Sequence, residues 1–131
     1  MNIQPTYVTF EQSKLLKEKG FDVEGQCIYD EHGIIGNTLL SIKKYSKNIK
    51  EDTWNFSAPE QWQVVEWLRV EKNIFVNITY SAKRGRFIWE IMNLKDKFWT
   101  TAKLADCHLQ VFDTPQEAYS AAFDYVLKEL L

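Results

Sequence analysis

Residues 74–93 constrain the fold of this chain more than any other stretch. Ile74, Val76, Ile78 and Tyr80 alternate with Phe75, Asn77, Thr79 and Ser81, which is the period of a half-buried strand. Residues 82–86 follow, with Gly85 free to take a positive φ, and close a hairpin onto a second strand over 87–93. One face of such a hairpin must be covered, and amphipathic helices are the elements that can cover it.

Three segments carry helix-start signals. Thr9 and Gln12 form a capping box, in which each side chain satisfies the other residue's backbone amide. The helix it opens runs to about Lys19, with Gly20 suited to the left-handed closing position. Residues 57–60 (Ser-Ala-Pro-Glu) read as a second box, with proline in the first turn, where its missing amide costs nothing. Val64, Val65 and Leu68 then make an apolar stripe flanked by Trp62 and Trp67, and Asn73 ends the helix. The third start is Thr114-Pro-Gln-Glu117. From it Glu117, Ser120, Asp124 and Lys128 fall on one side, and Ala118, Tyr119, Ala122, Phe123, Tyr125, Val126 and Leu130 on the other.

Further strands are expected at 26–30 and 34–42, as a hairpin around Glu31-His32-Gly33, and at 107–112, with Leu109 and Val111 inward. Residues 98–103 suit a strand or a loop, and 43–54 a Lys-rich loop. The expected order is α-β-β-α-β-β-β-α. Consecutive strands favour an antiparallel sheet with helices packed mainly on one face, an α+β domain. A single domain over 1–131 is expected, with 57–131 as a helix, three-stranded meander and helix core, and 1–56 as an extension.

The 131 residues suffice to bury a core without disulfides or metal. Aromatics make up 15% of the chain, which argues against disorder. The N-terminus shows no cationic stretch followed by an apolar run, and the apolar runs are too short to span a bilayer, so a cytoplasmic protein with no membrane partner is expected. Cys27 and Cys107 suit that setting as reduced thiols. A zinc site built from Cys27, His32, Cys107 and His108 is disfavoured, because neighbours on a strand point to opposite faces.

The motif SAPEQWQVVEWLR at 57–69 resembles a segment of small proteins from Bacteroides-type gut bacteria and their phages. So do TYVTFEQ at 6–12, KLLKEKGF at 14–21 and TPQEAYSAAFDYVL at 114–127, while 26–56 and 82–106 look variable. The resemblance implies a phage or mobile-element setting; it carries no activity, cofactor or site residue with it.

The chemistry-bearing residues give little support to catalysis. With His32 and His108 as the two histidines, there is no nucleophile elbow, no familiar Cys–His spacing and no phosphate-cradling loop. Glu60 and Glu117 read as capping residues, and Glu66 and Asp113 as surface acids. No enzyme activity and no cofactor are expected, and a small enzyme of unknown class ranks third among the readings. Charge is more suggestive. Lys43, Lys44, Lys47 and Lys50 fall in an acid-free stretch. Residues 83–103 hold Lys83, Arg84, Arg86, Lys95, Lys97 and Lys103 against Glu90 and Asp96, around Phe87, Trp89, Phe98 and Trp99. Cations among aromatics suit nucleic-acid binding, through Lys83, Arg84, Arg86, Trp89 and Trp99. The mundane alternative is a solvated hairpin tip over a tryptophan-rich core. Surplus aromatic surface or an edge strand favours a protein partner or self-association. The first expectation is therefore a non-enzymatic binding protein, with nucleic-acid binding as the alternative.

Overall fold

The computed structural model describes residues 4–23, 27–37, 56–101 and 110–131. The chain divides into two compact units, 1–60 and 61–131. The α+β class and the expected element order are those of the structure, with one short strand added and two small antiparallel sheets rather than one.

The first unit begins with α1 (Phe10–Glu18). Thr9 Oγ1 accepts from the Gln12 amide at 3.2 Å, and Gln12 Oε1 accepts from the Thr9 amide at 3.1 Å, so the expected box is formed. At the other end Gly20 takes φ 91°. The Phe21 and Gly20 amides donate to Leu16 O and Lys17 O, which satisfies the last carbonyls of the helix and turns Phe21 inward. β1 (Cys27–Tyr29) pairs with β2 (Ile35–Asn37), and Tyr29 stands opposite Ile35. Asp30 holds the intervening turn by accepting from the His32 and Ile34 amides at 2.8 and 3.0 Å. Gly33 closes that turn at φ 77°, and a Cβ there would come within 3.0 Å of the Phe10 ring.

β3 (Phe56–Ser57) pairs with the opposite edge of β1, giving the order β2-β1-β3. This corrects the expected second capping box. Ser57 lies on a strand; its hydroxyl donates to Val23 O at 3.2 Å, and its carbonyl accepts from the Ser13 hydroxyl. Ala58 and Pro59 bond onward to Cys27 and Val8, and Glu60 bridges to Tyr7. The sequence Ser-Ala-Pro-Glu satisfies the rule for a cap, but strand pairing claims these residues first.

The second unit opens with α2 (Gln61–Lys72), which buries Gln61, Val64, Trp67 and Leu68 at helical spacing and leaves Trp62 62% exposed. Asn73 ends it at φ 56°, as expected. β4 (Ile74–Ser81), β5 (Arg86–Asn93) and β6 (Phe98–Thr101) form a meander in that order. The Arg84 and Gly85 amides donate to Ser81 O across the first turn, with Gly85 at φ 65°. Asn93 Oδ1 accepts from the Lys95 and Asp96 amides across the second.

The third strand of the meander is thus Phe98–Thr101, a segment that sequence alone left between strand and loop. The strand expected at 107–112 falls largely outside the described residues. Phe112, its last residue, exchanges two backbone bonds of 2.8 Å with Phe87. Glu90 faces Thr101, so an unbroken lane would bring position 104 opposite Phe87; Phe112 stands there instead. The chain between Thr101 and Phe112 is therefore eight residues longer than a continuous lane requires.

α3 (Pro115–Tyr125) starts at Thr114, whose hydroxyl accepts from the Glu117 amide at 3.2 Å, with proline in the first turn as expected. It continues as a π-helical turn over Val126–Leu130, closed by the Leu131 amide on Val126 O. Ala118, Ala122, Phe123, Val126 and Leu127 are buried, whereas Leu130, expected inward, is exposed at the end of that wider turn. Both α2 and α3 pack on the sheet.

Candidate binding surfaces of the second sheet

Register assigns every side chain of this sheet to a face, because paired residues share a face and neighbours alternate. Ile74, Val76, Ile78 and Tyr80 stand opposite Asn93, Ile91, Trp89 and Phe87. This is the face toward the helices: the Trp89 ring lies 5.2 Å from that of Tyr125, and Ile74, Val76, Trp89 and Ile91 are buried. The other face carries Phe75 beside Met92, and Met92 beside Trp99, an apolar row across all three strands. Ile88, Glu90 and Arg86 extend that face along β5.

The five residues singled out from sequence therefore separate into three places. Lys83, Arg84 and Arg86 gather at the β4–β5 tip, where residues 82–86 are all exposed. Trp89 is 4% exposed and belongs to the core, so it offers no stacking surface. Trp99 is 50% exposed on the opposite face of the sheet. It also sits toward the other end: at about 3.4 Å per residue, its partner Met92 lies roughly 20 Å along β5 from Arg86. Lys95 and Lys97 occupy the far turn, beside Trp99 rather than beside the arginines. The basic, aromatic segment that looks continuous in sequence is divided by the length of a strand.

Two residues outside the five singled out from sequence become prominent. Phe98 is 69% exposed; it and Trp99 project to opposite faces of β6. The order β4-β5-β6 leaves the outer side of β6 without a paired strand among the described residues. β6 reads Phe-Trp-Thr-Thr, with none of the lysines or prolines that usually blunt an edge. Tyr80, placed by alternation among the inner residues, is 55% exposed, because burial along β4 fades toward the tip. The signal for both was position, Phe98 at the first residue of its strand and Tyr80 one residue short of a glycine turn.

The remaining candidate chemistry lies in the first unit. Cys27 is half-buried, and its thiol is hydrogen-bonded with the Tyr7 phenol, which raises the Tyr7 pKa above its ordinary value. Burial raises the pKa of Tyr29 as well; its hydroxyl donates to Val8 O at 2.6 Å. His32 stands exposed with Nε2 3.3 Å from Glu31. Cys107 and His108, the other members of the disfavoured zinc set, lie outside the described residues, as do Lys43, Lys44, Lys47, Lys50 and Lys103. On α2, Glu66 and Arg69 form a two-bond pair, and the Arg69 guanidinium lowers the Glu66 pKa. Among the described residues, no helix is long and apolar enough to cross a membrane. No family model, curated protein or solved structure matches the chain.

Proposed function

We propose that this chain is a non-enzymatic interaction protein that receives an extended segment of a partner protein along β6. The observation that carries the reading is the exposure of Phe98 and Trp99, on opposite faces of a strand at the margin of its sheet. An incoming strand would bond to the backbone of β6 and lay successive side chains, which project to opposite faces, against the two aromatic rings, the recognition mode of strand addition. Large aromatics on an otherwise polar rim are the residue types that dominate protein interfaces. The Phe75–Met92–Trp99 row continues the apolar surface inward from the edge on one side. The resemblance of the sequence motifs adds a phage or mobile-element origin to the proposal, and the short apolar runs and the reduced thiols expected of the cysteines add a cytoplasmic setting.

A random peptide library panned against the immobilised protein tests it. Selected peptides should carry apolar residues at adjacent positions, one for each face, and lose about tenfold or more in affinity against Trp99→Ala, as expected for an anchor residue. N-methylation of alternate peptide amides should abolish binding. Peptides that bind Trp99→Ala and Phe98→Ala as well as the unaltered protein would contradict the reading. Strand addition between two copies of the chain would also contradict it, and would appear in sedimentation as a dimer broken by the same substitutions.

A further inference from the structure

The β4–β5 tip carries three cations and one exposed aromatic ring, with Tyr80 on the helix face of the sheet and Arg86 on the other. Residues 74–89 contain Lys83, Arg84 and Arg86 and no acid. The turn is held by the Arg84 and Gly85 amides on Ser81 O at 3.2 and 2.7 Å, so the cations sit on an ordered loop. Tyr80 lies against Phe87, ring centroids 5.1 Å apart, and Phe87 is in turn fixed by its two backbone bonds to Phe112. A Cβ on Gly85 would come within 3.8 Å of the Tyr80 hydroxyl, so the ring lies under the turn that carries the cations. Asp113 approaches this tip with its Oδ1 3.4 Å from Arg86 Nε, but both side chains are more than half exposed and such pairs are weak.

We infer that this tip binds single-stranded nucleic acid, with Tyr80 beneath a base, Lys83 and Arg84 of the turn against the neighbouring phosphates, and Arg86 against a phosphate that has passed round the tip to the other face. Phosphate neutralisation beside a sequence-tolerant aromatic platform is the usual recipe for single-strand binding. A duplex hides the faces of its bases, so the exposed ring favours a single strand. The inference uses different residues from the β6 reading and does not depend on it.

Fluorescence anisotropy with a labelled oligothymidylate, titrated across low to physiological salt, tests it on the full chain. Three phosphate contacts give an expected slope of about −2 in log affinity against log salt. Lys83→Ala and Arg84→Ala should each reduce its magnitude by about 0.7. Tyr80→Ala should weaken binding about tenfold and leave the slope unchanged. Asp113→Asn should tighten binding, a gain that misfolding would not produce. Absence of binding at low salt would overturn the inference. So would affinity indifferent to Arg84→Ala and Asp113→Asn, or displacement by inorganic polyphosphate with Tyr80→Ala silent, which would mark a generic polyanion contact.

Discussion

Among the described residues no acceptor meets the buried indole Nε1–H of Trp89, a condition that ordinarily costs about 1–3 kcal/mol. The ring itself packs against Tyr125 in the centre of the second unit, so its apolar area must outweigh that cost. Two substitutions separate the contributions. Trp89→Ala should destabilise the protein by about 3–5 kcal/mol, the range for removing a large core aromatic. Trp89→Phe should cost much less, because relief of the unsatisfied N–H offsets part of the lost volume; chemical denaturation of the two variants checks this. Tyr29 gives the residue-scale pH dependence. Burial raises its folded pKa above the ordinary 10.0, so its contribution is complete below that value and is lost as pH rises through the folded value. The ionised phenol can no longer donate to Val8 O. Stability should therefore be insensitive to this group near neutrality and fall above about pH 10. Tyr29→Phe should lose about 1 kcal/mol near neutrality and show a shallower alkaline decline in denaturation midpoints measured across that range.

At the scale of elements, helix starts separate into those fixed locally and those decided by strand pairing. Thr9 and Thr114 each accept from the amide three residues on, so Thr9→Ala and Thr114→Ala should each cost about 1 kcal/mol in thermal denaturation. Residues 57–60 carry the same local signal, but the backbone there is committed to β1 and to Val8. Backbone chemical shifts should accordingly show no helical displacement for Ser57, Ala58 or Glu60, and a helical displacement from Gln61 onward. Strands show the same division. The β4–β5 hairpin was legible because alternation and a glycine turn are neighbours in sequence. The pairing of Phe56 with Tyr29, 27 positions away, leaves no local trace. Nor does the return of Phe112 to the lane of β6.

Across the whole molecule, class and element order could be read from periodicity, whereas the placement of chemistry could not. The stretch from Lys83 to Lys103 reads as one basic patch only until β5 is given its length. Folding then sends the arginines to one end of the sheet, Trp99 to the other, and Trp89 to the face between the sheet and its helices. Of the candidate residues, the cations of the tip stay together in the fold as they do in sequence, and the exposed ring under their turn is Tyr80 rather than a tryptophan. Phe98 and Trp99 gained their importance from the position of β6 at the sheet margin, which depends on strand order. In the proposed function that margin is where a partner strand is received. Amide hydrogen exchange of the full chain, with and without a peptide selected as above, tests this most directly. Binding should slow exchange at Phe98–Thr101 by tenfold or more in alternate amides. Protection confined to other segments, with β6 unchanged, would contradict it.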